Sequence, residues 1–336
     1  MKDIQTTLIS IVKEKTKHID SIGQVLADTL SISIDAAYRR SRGKTLLTID
    51  EVSKLCRTFN ISFDRLNNSS EETVTFEYSS TKNYDFSLEG YLADLLEAFK
   101  KLEETTQPKI TLTANNLSIF QLLNFPHLVR FRLYFWAKTH LQVPEYQNVL
   151  FENEKITENA YNIGWEILQR YNKIPTTECY DLNFLKGLLR HIHYYASAHY
   201  FKDPGYALRL IDEVKMMADH IKEQCSIGQK YVFRKETPPG SGNEYNVYIN
   251  DTVNSENTFY YHSEEAEGIY LAHNYMNYLH TNDRQYTEET KTILQKQLAN
   301  SSLISKVNQK QRNTFFHKID ATIDQFRKKV EAEFLI

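Results

Sequence analysis

Apolar residues recur at three- and four-residue intervals along most of the chain, the period of an amphipathic helix. Ile22, Val25, Leu26 and Leu30 predict one short helix, with Ala27 small enough for a neighbour to approach. Ser31-Ile32 makes a turn, after which Ser33 is a good N-cap for a second helix whose Ile34, Ala37, Tyr38 and Ser41 share a face. Gly43 suits a left-handed C-terminal cap, and Thr48-x-x-Glu51 is a capping box opening the next helix. Ile49, Val52, Leu55, Cys56 and Phe59 form its inner face, and Phe63 and Leu66 point inward from a final turn.

Helical periodicity resumes with the stripe Leu88, Leu92, Leu95, Leu96 and Phe99 and continues to about Lys222, interrupted at Pro144, Pro175 and Asp203-Pro204-Gly205. Between Gln229 and His262 the period shortens to two. Tyr231 and Phe233 alternate before the turn-rich segment 237–243, Tyr245, Val247 and Ile249 alternate after it, and Thr258 to Tyr261 is an aromatic run. A small antiparallel sheet or β-hairpin insert is expected there. Helix is expected again from about Glu264. In the last run Phe315, Ile319, Thr322, Ile323, Phe326 and Val330 line one face, which reads either as the closing helix of a domain or as a dimerisation helix. The polar stretch from Asn67 to Asp85 lacks helical period and reads as a linker, with Val74 to Tyr78 as one short strand.

The length of 336 residues allows about two domains, and 41% hydrophobic with 25% charged residues is a globular profile. Only 10 Gly and 7 Pro leave few helix breakers, so the expected class is mostly α. Cys56, Cys179 and Cys225 are far apart and fit no CxxC or Cys/His spacing, which points to buried apolar thiols in a reducing compartment. No segment resembles a signal peptide or reaches the roughly 20 apolar residues of a membrane span, so a cytoplasmic location is expected. Charge is uneven: residues 1–66 carry 11 Lys/Arg against 8 Asp/Glu, while the whole chain is -3. The basic part is the small one.

Two short helices joined by a tight turn, the second narrow and flanked by Arg39, Arg40, Arg42 and Lys44, match a DNA major groove in shape and charge. Leu26-Ala27, Leu30-Ser31-Ile32-Ser33, Arg42-Gly43-Lys44, Glu51 and Asn60-Ile61-Ser62-Phe63-Asp64 fall at the spacing of the lambda-repressor-like (Cro-type, xenobiotic-response-element) helix-turn-helix family, which this region of about 60 residues resembles. Ser31 stands where that family usually has a turn glycine. The resemblance implies a four- or five-helix DNA-binding domain over residues 1–66, a linker over 67–87 and a helical regulatory or dimerisation domain over 88–336. It makes Ser33 to Arg42 the recognition helix, with Ser33, Asp35, Ala36, Arg39, Arg40, Arg42 and Lys44 as the DNA-binding set. Double-stranded DNA and a second copy of the chain are the implied partners.

Elsewhere the chemistry is sparse. His191, Tyr195 and His199 share a helical face with no carboxylate at the spacing of a metal site, so no metal and no cofactor is expected. With Tyr194 and Tyr200 they form a candidate effector pocket for a small molecule or protein. Gly240-Ser241-Gly242 lacks a P-loop frame, and no acid/base pair or nucleophile motif emerges. The expected protein is therefore a non-enzymatic transcriptional regulator. The alternatives left open are a scaffolding protein whose helix-turn-helix binds protein rather than DNA, and an enzyme in the second domain.

Overall fold

The computed structural model describes residues 4–16, 21–59, 61–63, 66, 73–78, 88–113, 116–152, 158–234, 243–250, 257–273 and 277–334. The chain divides into two compact units, Met1–Phe76 and Glu77–Ile336, so the boundary falls within the expected linker.

The first unit holds helices α1 (Ile4–Lys15), α2 (Ile22–Leu30), α3 (Ile34–Ser41) and α4 (Ile49–Thr58). Leu8, Val12, Leu26, Ala37 and Leu55 form its dry centre, closed by Ile61 and Leu66. The inner faces are narrower than the periodicity suggests. Of the expected α3 face only Ala37 is buried, while Ile34, Tyr38 and Phe63, and Ile49 on α4, are exposed. α3 is a short helix packed across α2, so only one of its turns reaches the core. The approach is close because Gly23 has no side chain: a Cβ there would lie 2.7 Å from the Tyr38 ring.

The second unit corrects the expected mostly helical class with a small antiparallel sheet. Its centre is an eight-stranded mixed sheet of β1 (Glu77–Tyr78), β2 (Lys109–Thr113), β3 (Thr176–Tyr180), β4 (Tyr245–Ile249), β5 (Thr258–His262), β6 (Glu267–His273), β7 (Asn277–Thr281) and β8 (Ser302–Leu303), in the order β1-β7-β6-β5-β2-β3-β4-β8. The three adjacent strands β2, β3 and β4 run parallel, and the remaining pairings are antiparallel. The hairpin expected near 229–262 is therefore absent: β4 and β5 are separated by β2 and β3, and residues 229–234 contribute only an isolated bridge, Gln229 to Glu244. The turn-rich loop lies almost wholly outside the described residues. Where helix was expected from Glu264, β6 and β7 extend the sheet instead.

Helices α5 (Leu88–Glu103), α6 (Ile119–Leu122), α7 (Pro126–Phe135), α8 (Pro144–Gln147), α9 (Glu158–Tyr171), α10 (Lys186–Ser197), α11 (Tyr206–Ile227), α12 (Arg284–Ala299) and α13 (Gln309–Ala332) complete the unit. A five-residue π turn, Trp136–His140, continues α7. The main core joins Ile110, Leu112, Tyr180, Tyr245 and Val247 of the sheet to α5, α7, α9, α10, α11 and α13. A smaller cluster, Tyr260, Ile269 and Leu294, seats α12 on β5 and β6. Phe315, Ile319, Ile323, Phe326 and Val330 of α13 are all buried, and α13 packs on α10 and α11. The apolar stripe of the last helix is thus consumed inside its own unit. No helix among the described residues is long and apolar enough to cross a membrane.

His220, only 2% exposed, lies under Tyr231 with Nε2 3.1 Å from the Tyr231 carbonyl oxygen and 3.0 Å from Gln224 Nε2. Burial lowers its pKa to about 4, against a smaller opposing pull from the Tyr231 carbonyl. The unfolded chain binds this proton below about pH 6.5 and the folded chain does not, so stability present above that pH is lost as pH falls toward 4. The expected loss is about 3 kcal/mol. Denaturant midpoints measured from pH 7 to 4 should fall less steeply for His220→Gln than for the parent; identical slopes would show that this histidine does not carry the effect.

Candidate nucleic-acid interface

The site is built from a helix, a tight turn and a second helix. Ser31 ends α2 in the left-handed conformation (φ 58°, ψ 46°), its N–H reaching back to the Ala27 carbonyl, and the Ile32 N–H bonds the same carbonyl at 3.1 Å. A serine thus performs the turn that glycine makes with less strain. Ser33 then caps α3, its Oγ accepting from the Ala36 N–H at 3.3 Å. At the far end Gly43 adopts φ +70°, the Gly43 N–H bonds the Arg40 carbonyl at 3.0 Å and the Lys44 N–H the Arg39 carbonyl at 2.9 Å, so the left-handed cap expected at Gly43 is present.

Outward from α3, Asp35 and Arg39 form an i,i+4 ion pair at 2.8 Å with 75% and 63% of their side chains exposed. Such a pair is worth only about 0.3–0.5 kcal/mol and opens readily to a competing partner. Arg42 is exposed with its guanidinium 5.6 Å above the Tyr38 ring, and Lys44 is exposed. Ala36 is half-buried and Ser33 exposed. Tyr38 is held by its hydroxyl, 2.8 Å from Ser21 Oγ.

Arg40 behaves differently. Its guanidinium forms a fork with the Glu51 carboxylate, Nη2 to Oε1 at 2.9 Å and Nε to Oε2 at 3.0 Å, and both side chains are about five-sixths buried. Glu51 Oε2 also accepts the Thr48 N–H at 2.9 Å while Thr48 Oγ1 accepts the Glu51 N–H at 3.3 Å, which is the capping box read from the sequence. Burial works to raise the Glu51 carboxyl, but the Arg40 hydrogen bonds, the Thr48 N–H and the Arg40 charge outweigh it and hold it below the ordinary carboxylate range. From α1, buried Gln5 donates to the Arg40 carbonyl at 2.8 Å and the Thr45 carbonyl at 2.9 Å, and accepts the Leu47 N–H at 2.8 Å. Arg40 therefore fixes α3 against α4 and α1, and the outward basic set is Arg39, Arg42 and Lys44. Gln5, which periodicity did not single out, is the hub of this bracing.

Of the five residues of the candidate effector pocket, Tyr194, Tyr195 and Tyr200 meet edge-on, with ring centroids 5.3 to 6.2 Å apart. Tyr195 is fully buried with its hydroxyl 3.0 Å from Thr139 Oγ1, and His191 stacks on Phe135 at 3.9 Å between centroids. Tyr194 is 53% exposed, and His199 is exposed in the left-handed turn after α10. Tyr200 is half-buried, edge-on to Tyr195 and under the Lys138 ammonium at 5.2 Å. Two surface depressions of this unit, one between Leu182, Ile249 and Phe315 and the other between His262 and Glu267, include none of the five.

No family model, no curated protein and no solved structure matches the chain.

Proposed function

We propose that the chain is a transcriptional regulator that binds double-stranded DNA through its first unit, with α3 entering the major groove. The observation that carries the reading is the pairing of a capped, core-poor α3 with an exposed outer face of Asp35, Arg39, Arg42 and Lys44, set by a tight turn at fixed angle to α2. In this reading Asp35 accepts from a cytosine amino group, Ile34 and Ala36 meet thymine methyls, and Arg39, Arg42 and Lys44 hold phosphates. The first unit is only weakly basic, so two copies contribute to specific binding; the protein acts in the cytoplasm as a homodimer joined through the second unit, reading half-sites roughly 34–36 Å apart. No reaction is assigned to the chain.

A second reading is favoured by one feature, the exposed apolar side chains Leu46 (72%) and Ile49 (76%) beside α3, which suit a protein partner. Salt dependence separates the two. Binding of the full-length chain to duplex DNA should weaken linearly in log–log form with salt, and Arg42→Ala with Lys44→Ala should flatten the slope by about two units, one per phosphate contact. A salt-independent association, or one indifferent to both substitutions, favours the protein-binding reading.

A further inference from the structure

The second unit contains a half-buried guanidinium with no carboxylate. Arg132, near the end of α7, lies over the Trp136 ring with its carbon 4.8 Å from the centroid, and its Nη1 donates to His191 Nδ1 at 2.7 Å. Among the described residues it makes no ion pair, and Tyr278, a neutral phenol, is the titratable group that acts on it. It also lies 5.9 Å from the Phe135 ring centroid, and the other ionisable groups it acts on are the imidazoles of His191 and His140. His191 is depressed to about 3 by burial first and then by Arg132, His140 and Arg190. His140 is lowered by burial and by Arg132. Phe135 forms the floor, stacked on His191 and edge-on to His140 at 5.0 Å.

The backbone builds this cluster on purpose-shaped elements. The π turn widens α7 at Trp136–His140, a feature that recurs at binding sites, and carries His140 next to the Arg132 face while α10 supplies His191 and Arg190 from the other side. The Arg132 donors beyond the one given to His191 have no partner among the described residues and, unlike the buried Nε atoms of Arg130 and Arg170, they reach solvent, where an arriving anion can meet them. Two guanidiniums, both partly open to solvent, carry the charge that balances a dianion, and His191, whose Nδ1 accepts from Arg132, keeps a ring N–H at Nε2 to donate to it.

We propose that Arg132, His191 and His140, with Arg190 at the rim, bind the phosphate group of a small-molecule ligand. His191 and the π turn make this a site on the α7–α10 side of the unit rather than the Tyr194–Tyr200 surface. That such a ligand regulates DNA affinity rests on the reading above; its binding does not.

The test is a titration of the full-length chain, without DNA, with sodium phosphate, with sodium chloride at equal ionic strength, and with ribose 5-phosphate. Phosphate should raise the melting temperature in a saturable way and shift the His191 ring resonances, and chloride should do neither. Arg132→Gln should weaken the phosphate response by roughly 10-fold or more, the loss of charge-assisted hydrogen bonds. If Arg132→Gln does not fold, His140→Gln carries the same comparison. Tighter binding of ribose 5-phosphate assigns an organic ester, and equal binding assigns phosphate itself. The proposal is overturned if chloride reproduces the effect, if His191 does not respond, or if the folded variant responds as the parent does. Because no DNA is present, failure here leaves the DNA-binding reading untouched, and failure of that reading leaves this result standing.

Discussion

Lys230→Met should destabilise the second unit by about 3–5 kcal/mol, the range for removing one member of a buried charged set. Lys230 is 0% exposed, and its ammonium donates to the carbonyls of Tyr171 (2.5 Å) and Ile174 (2.7 Å) and to Thr176 Oγ1 (2.6 Å), with the Tyr171 ring 3.6 Å away. Glu178, also 0% exposed, sits in the middle of β3 and accepts from the hydroxyls of Tyr171 and Tyr245 at 2.5 Å and from that of Tyr180. The two charges are joined through Tyr171, which accepts from one with its carbonyl and donates to the other with its hydroxyl. Burial pushes the Lys230 amine well below its usual range while Glu178 pulls it back up. Methionine fills the volume but removes the ammonium's hydrogen bonds to three buried acceptors and leaves Glu178 without a nearby cation, so transfer of an apolar side chain into the core cannot offset the loss. A melting temperature lower by on the order of 10 °C is expected. A change under about 1 kcal/mol would mean that these contacts contribute no more than an ordinary surface pair.

The second large effect concerns Arg40. Arg40→Ala removes a bidentate ion pair that is mostly shielded from water and releases Glu51 from its position in the capping box. Destabilisation of the first unit by about 2 kcal/mol is expected, with weaker DNA binding at every sequence alike and no change in base preference. Lysine at 40 should not rescue, since it cannot present the fork. In a double-mutant cycle with Glu51→Ala the two losses should be non-additive by at least about 1 kcal/mol. A stable Arg40→Ala protein with an altered preferred sequence would instead make Arg40 a base-reading residue. Arg39→Ala, whose partner Asp35 is solvent-exposed, should leave stability nearly unchanged.

The first unit was largely legible because its signals are local: apolar residues at helical spacing, Ser33 and Thr48 as caps, Gly43 past a helix end. What was not legible there is tertiary. Arg40 and Glu51 are 11 residues apart, and nothing in the period of α3 tells that one of its arginines turns inward to brace α4. The same holds for Ile34 and Ile49, which have the spacing of core positions but stand on a small domain whose core is filled by Leu8, Leu26, Ala37 and Leu55. The sheet of the second unit escaped for a different reason. β2 and β3 are five-residue strands buried in the middle of the sheet, and Thr-Thr-Glu-Cys-Tyr shows no apolar run because its central glutamate is satisfied by its own Tyr180 and by two tyrosines from elsewhere in the chain, Tyr171 and Tyr245. The available hints were the prolines at 108 and 175 just before each strand and the β-branched residues after them. Reading the aromatic residues from 267 to 281 as helix also hid β6 and β7, whose side chains stack across strands, as Tyr270 does on His280 at 4.4 Å. His191 was marked by its tyrosine-rich surroundings, but its partner Arg132 lies 59 residues earlier in a segment that reads as plain core.

Selection from a randomised duplex library by the full-length chain, compared between the parent and Asp35→Ala, tests the central claim most directly. The parent should enrich a two-fold-related motif, and Asp35→Ala should bind that motif with specificity relaxed at one base pair in each half-site, at a cost of roughly 1–3 kcal/mol. Enrichment of no sequence by the parent, together with unchanged DNA retention when Arg39, Arg42 and Lys44 are all alanine in a folded protein, would contradict it.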